Sequence, residues 1–134
     1  MARQVRHIAI AVLTILAVLS PTTAHAKKQE RCLGFEQAFA FYGLPVKEFS
    51  FIAYRESRCR VNAINARWDE NGNIIWTLNK NGTYDSGLLQ INSSWKSVTR
   101  KVCGGGIELL RTLDCNLRVA RYLYDNGGLG HWGM

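Results

Sequence analysis

Histidine is scarce in this chain of 134 residues: there are three. His7 and His25 lie in the N-terminal stretch, so His131 alone would serve a domain folded from the rest. A Ser-His-Asp or Cys-His device would have to rest on that single residue. No GxSxG, HExxH, phosphate-binding loop or dinucleotide fingerprint occurs either. CxxC is missing, which removes the usual framework for zinc or dithiol redox chemistry. The sequence is therefore expected to use no metal and no cofactor. There are no repeats, no low-complexity tracts and no Pro/Ser-rich linker, so one domain is expected.

Long apolar runs are missing too, apart from Ile8 to Leu19, which is interrupted by Thr14 and too short to span a bilayer comfortably. Arg3, Arg6 and His7 precede it, Pro21 breaks it, and Ala24-His25-Ala26 follows with small residues where a signal peptidase reads. This layout predicts a cleavable secretory signal over residues 1–26 and a mature chain of 27–134, periplasmic or secreted, with no stable membrane insertion. Acidic residues are few, 10 against 17 Lys and Arg, giving a formal charge of +7. Loss of Arg3 and Arg6 would leave the mature chain near +5, a balance that suits an anionic partner such as cell wall. Nucleic acid is not expected, because the basic residues are scattered and the chain reads as exported.

The mature part holds Cys32, Cys59, Cys103 and Cys115. An even number in an exported chain of modest core reads as two disulfides, with three connectivities open. The preferred pairing is Cys32–Cys115 with Cys59–Cys103, which would join the first helix to the last and the end of the second helix to the middle of the chain.

Apolar spacing predicts a helix over Cys32 to Tyr42, closed by Gly43, and a second opened by Pro45 at its first position and running to Glu56 or Ser57. Residues 58–86 change texture. Asn71-Gly72 and Asn81-Gly82 are turn signals, and Ile74 to Leu78 favours a strand, so two or three short antiparallel strands are expected. Helical texture returns at Leu88. Ile107 to Leu113 is a short helix candidate. Asp114 would cap a last helix over Cys115 to Asp125, ended by Gly127 and Gly128. The fold class is α+β, mainly helical.

Carboxylates carry the remaining chemistry. Glu56 closes an apolar helix beside Phe49, Ile52 and Ala53. Desolvation disfavours a charged carboxyl, and a protonated one can donate to a glycosidic oxygen. The bland alternative is an ion pair with Arg55, Arg58 or Arg60. Gly82 to Trp95 forms a second region, in which Gln90 and Asn92 interrupt an apolar run. Their amides suit sugar hydroxyls and N-acetyl groups, or else they bridge local backbone.

Two segments together carry a resemblance. Ala53-Tyr54-Arg55-Glu56-Ser57-Arg58 followed by Asn62-Ala63-Ile64-Asn65 resembles the Glu-Ser segment of lytic transglycosylases. Gly82 to Trp95 resembles the Gly-Thr-Tyr-Asp-x-Gly-Leu-Met-Gln-Ile-Asn motif of the small transglycosylases serving secretion, conjugation and pilus machines, and the matching run of animal-type lysozymes. The likeness extends over most of residues 32–132. It implies a lysozyme-like fold with a glycan cleft, Glu56 as catalytic acid/base, and Ser57, Tyr84, Gln90 and Asn92 as cleft contacts. It implies cleavage of the MurNAc–GlcNAc β-1,4 bond of peptidoglycan with formation of a 1,6-anhydro ring. Hydrolysis with Asp85 as second carboxylate is the alternative, and binding of cell wall without cleavage a third reading. Implied partners are glycan strands and components of a secretion, conjugation or pilus system, met by a monomer. The sequence departs from the pattern in a longer segment around Asp69 to Lys80. It also carries no Tyr-Asn-x-Gly stretch after Trp132, so Tyr84 or Tyr122 is expected to orient the acid instead. Trp68, Trp76, Trp95 and Trp132 are expected mostly to pack, with at most one or two touching glycan.

Overall fold

The computed structural model describes residues 30–134, with Ile15 and Ala17 before them. The predicted signal stretch otherwise lies outside the described residues. Among the described residues, no helix is long and apolar enough to cross a membrane. The architecture is α+β, about half helical, with two small antiparallel sheets.

The first helical segment starts as a 3₁₀ turn, Leu33–Phe35, and becomes α1 at Glu36–Phe41. Gly43 follows with φ +68°. A side chain there would meet the Arg121 guanidinium, which donates to the carbonyls of Tyr42 (3.2 Å) and Gly43 (2.9 Å). Pro45 stands just outside α2 (Val46–Ser57), because its extended ψ of 111° places it at the cap and not at the first helical position. Helix α2 ends without glycine: Arg58 and Cys59 both take left-handed backbone, φ +52° and +64°. Two such residues in succession cost roughly 1–2 kcal/mol each.

That reversal decides a disulfide. It turns Cys59 back toward the start of the chain, where it bonds Cys32 across a Cα separation of 5.5 Å. The second bridge joins Cys103, the last residue of α3 (Lys96–Cys103), to Cys115 in the first turn of α4 (Leu113–Asp125). The expected pairing of Cys32 with Cys115 and Cys59 with Cys103 is thus corrected. Each bridge closes a short loop, of 27 and 12 residues in separation. Helices α1 and α4 are tied without sulfur, by Arg121 and by the Tyr42 hydroxyl, which donates to Asp114. Non-reducing peptide mapping should return the Cys32–Cys59 and Cys103–Cys115 peptides. Reduction should remove about 3 kcal/mol of stability per bridge, by the loss of loop closure in the unfolded chain. Recovery of a Cys32–Cys115 peptide from native protein would contradict this.

Asp114 is therefore not a cap. Thr112 holds the cap position, and Asp114 sits inside the first turn, bonded by Tyr42 and by Arg118 (3.0 Å). The Tyr42 hydrogen bond, then Arg118, holds the Asp114 carboxyl below its usual range, and the same bond raises the Tyr42 phenol. The sign follows from each. Asp114's share of stability is present above the ordinary carboxylate pKa and fades as pH falls through the lowered value. Tyr42's is present below the ordinary phenol pKa and fades as pH rises through the raised one. The link therefore persists across neutral pH.

Strand β1 (Ala66–Trp68) pairs antiparallel with β2 (Ile74–Trp76), Arg67 opposite Ile75. The connection is an Asx turn in which Asp69 accepts from the N–H groups of Asn71 (2.9 Å) and Asn73 (2.7 Å). The predicted strand to Leu78 stops two residues sooner. Strand β3 (Asp85–Ser86) pairs with β4 (Ile91–Asn92), and Ile64 bridges to Ser86. Helix was expected from Leu88. Instead Gly87 (φ +81°) and Gln90 (φ +50°) fold 87–90 into a turn, and helix resumes at a 3₁₀ turn, Ser93–Trp95, where Asn92 accepts from the Ser94 N–H. Ile107–Arg111 is likewise 3₁₀.

The core joins α1, α2 and α4 to the 88–91 segment through Phe39, Phe49, Ile52, Leu89, Leu117 and Leu123. Burial of each such side chain stabilises by roughly 1.5–3 kcal/mol. Phe49 is centred, edge-on to Trp132 at 5.0 Å and to Tyr124 at 5.8 Å.

Candidate functional site

Glu56 lies in the last turn of α2 and is about one quarter exposed. Among the described residues, the hydrogen bonds to its carboxylate come from Arg55: Nε donates at 2.9 Å and Nη2 approaches at 2.8 Å. The same Nη2 donates to the Trp132 carbonyl. Glu56 is thus held as an ion pair and linked, through Arg55, to the 3₁₀ turn Gly128–Trp132. The ion-pair alternative is realised with Arg55. Arg58 instead lies between the rings of Tyr54 (4.5 Å) and Trp68 (5.0 Å), and Arg60 stands over Trp68 at 5.5 Å. Among the described residues, neither Tyr84 nor Tyr122 donates a hydrogen bond to Glu56. Tyr84 borders a depression elsewhere, and Tyr122 lies beneath Lys101.

Ser57, expected as a cleft contact, is fully buried. Its one hydroxyl proton lies within reach of the carbonyls of Leu88 (2.7 Å) and Ala53 (3.0 Å), and its oxygen accepts from the Arg60 N–H (3.2 Å). Buried, and with its one proton committed, it is not presented to a sugar. What it does is pin the end of α2, and so Glu56, to the segment between Asp85 and Asn92.

Gln90 is also buried and committed. Its Oε1 accepts from the Ala66 N–H (2.8 Å), and its Nε2 donates to the carbonyls of Gly87 (3.0 Å) and Ala63 (3.2 Å). Its amide therefore bridges backbone and is not open to a sugar. Asn92 is half-buried and donates to Asp85 (2.8 Å) and to the Thr83 hydroxyl (3.1 Å). Asp85 is the hub of a polar cluster. One carboxylate oxygen accepts from Asn92, the other from Asn79 (3.2 Å) and Arg67 (3.5 Å). The structure thus brings Asp85 and Asn92 into contact, and joins Ser57 to the turn between them.

Arg55 and Asn116 matter more to this region than sequence patterns suggest. Asn116 is fully buried; it donates to the carbonyls of Ser86 (3.0 Å) and Leu110 (2.8 Å) and accepts from the Leu89 N–H (3.0 Å). It holds the 86–89 turn against α4. A signal existed: position 116 shares one helical face with Ala120 and Leu123, so an asparagine there is a polar residue on the inner stripe.

Of the tryptophans, Trp132 is core, with Nε1 donating to the Leu89 carbonyl (2.9 Å), and Trp76 is 51% exposed. Trp95 meets His131 edge-on at 5.6 Å. Among the described residues, three depressions measure about 570, 310 and 200 Å³, and Tyr84 borders the second of these. Among the described residues, no cluster of His, Cys, Asp and Glu has the makings of a metal site.

No protein-family model matches this chain, and no curated protein sequence matches it.

Proposed function

We propose that this protein is an exported peptidoglycan lytic transglycosylase of lysozyme-like fold, with Glu56 as its general acid and base. One observation carries the reading: the Ser57–Leu88 bond fastens the end of α2 to the 85–92 segment, so the two motifs that resemble transglycosylases meet in space. An exported, basic, disulfide-bonded chain is consistent with an anionic wall as substrate.

In this mechanism a glycan strand displaces Arg55 from Glu56. The guanidinium keeps its second contact, the Trp132 carbonyl, and so has a place to remain. Freed of Arg55, the Glu56 carboxylate takes up a proton from solvent and gives it to the oxygen linking MurNAc to GlcNAc; that bond breaks, and positive charge develops at C1 of MurNAc. The C6 hydroxyl of the same MurNAc attacks C1, and ionised Glu56 takes the hydroxyl proton. A 1,6-anhydro ring forms, no water is consumed, and the carboxyl is left protonated, ready to donate again.

Hydrolysis would use a second carboxylate as nucleophile or base. Asp85 is the candidate, but both its oxygens are engaged by Asn92, Asn79 and Arg67. That favours a supporting role for Asp85 and, with it, the anhydro product. Mass spectrometry of purified peptidoglycan digested by the full chain should find fragments ending in 1,6-anhydroMurNAc. Fragments with ordinary reducing ends would make the protein a hydrolase. Binding without released fragments would leave it a wall-binding protein.

A further inference from the structure

The three depressions are not separate. The largest, about 570 Å³, is bordered by Lys96 and Arg100 of α3 and reaches Ile107 and Glu108. Those last two residues also border the second, about 310 Å³, which runs past Tyr84 and Arg111 to Ile64 and Leu78. Ile64 and Leu78 in turn border the third, about 200 Å³, which ends at Trp76. Shared walls make one trough from α3 to the β1–β2 hairpin.

This trough lies on the far side of the β3 strand from Asp85. Side chains alternate along an extended segment. Tyr84 and Ser86 border the trough, while Asp85 between them reaches the other way to Asn92, Asn79 and Arg67. The trough is therefore distinct from the Glu56–Asp85 region, and a partner bound in it is independent of the transglycosylase reading.

Its two ends differ in chemistry. At the hairpin end Trp76 and Leu78, 51% and 67% exposed, set two large apolar side chains side by side on the trough wall. At the other end Lys96 and Arg100 sit one helical turn apart, while Arg111 borders the middle depression. Among the described residues, none of these three pairs with a carboxylate. Glu108 stands between the ends, its carboxylate folded onto its own loop so closely that a Cβ on Gly106 would lie 2.2 Å from it. Exposed tryptophan and arginine beside a half-buried tyrosine in a concavity is the composition of protein-interface anchors. A nucleic acid would use none of the apolar end. A membrane needs a protruding apolar surface, not a recessed one.

We propose that this trough docks an extended segment of a partner protein, one carrying apolar side chains at one end and carboxylates at the other. The apolar residues seat against Trp76, Leu78 and Ile64, and the carboxylates reach Lys96 and Arg100.

Fluorescence anisotropy on the full chain tests it. The probe is a labelled synthetic peptide with tryptophan and leucine at one end and a run of glutamates at the other. Saturable binding is expected, weakened roughly tenfold at physiological salt by Lys96→Glu with Arg100→Glu, and similarly by Leu78→Asp. All three positions are exposed, so folding should survive. A peptide with lysines replacing the glutamates should bind the charge-reversed variant better than the parent, a gain that misfolding cannot imitate. The proposal is overturned by absence of saturable binding, by equal binding of a glutamate-only peptide, or by displacement of the probe with soluble muropeptides, which would make the trough a wall-peptide site.

Discussion

Glu56→Gln is expected to slow release of muropeptides from purified wall by about a hundredfold to ten-thousandfold, the range typical of removing a general acid. The amide keeps the shape of the carboxyl and cannot transfer the proton. Stability should change little. The Arg55–Glu56 pair is partly exposed, at 37% and 26% for its side chains, and pairs of that kind contribute about 0–1 kcal/mol. The structure makes the test sharper than the sequence does, because Ser57, next in the chain, is wholly buried. Ser57→Ala should act through folding, lowering the thermal midpoint by loosening α2 from Leu88. A Glu56→Gln variant that clears wall at the parent's rate would end the assignment of Glu56 as the acid.

Gly87→Ala should be the most damaging of the small substitutions to stability, by roughly 3–5 kcal/mol. Gly87 has φ +81°, and an added Cβ would fall 2.1 Å from the Leu110 carbonyl oxygen and 2.2 Å from Asn116 Nδ2. The left-handed backbone alone accounts for about 1–2 kcal/mol. The remainder comes from pushing Asn116 off the buried carbonyls it satisfies, at about 1–3 kcal/mol for each group left unpaired. Against a total of about 5–15 kcal/mol for a domain, that is a large fraction. Gly72→Ala is the control. Its φ of +78° carries the same strain, but nothing lies within 4 Å of the added carbon. Urea unfolding should show the Gly87 variant losing clearly more than the Gly72 variant. Equal losses would mean that backbone strain alone matters and that the Asn116 contacts contribute nothing.

Local signals in the sequence were enough for local structure. Apolar spacing and Pro45 located α2 nearly to the residue, and the inner face of α4 follows from Leu117, Ala120 and Leu123. The Asn-Gly pairs marked turns where Gly72 and Gly82 take positive φ. Such features depend on neighbours within a few positions, so the sequence alone determined them. Asn92 was half legible, since its cap on Ser94 is two residues away while its bond to Asp85 spans the β3–β4 pair. Contacts across long separations were decided only by the tertiary structure. Ser57 meets Leu88 over 31 positions, Gln90 meets Ala66 over 24, and Asn116 meets Ser86 over 30. Each side chain can serve a ligand or a backbone group equally well by its chemistry. Which one it serves is settled by whether another element packs close enough to exclude water. The disulfides obeyed the same logic: four sulfurs permit any pairing on paper, and the left-handed turn at Arg58 and Cys59 brought one pair within reach.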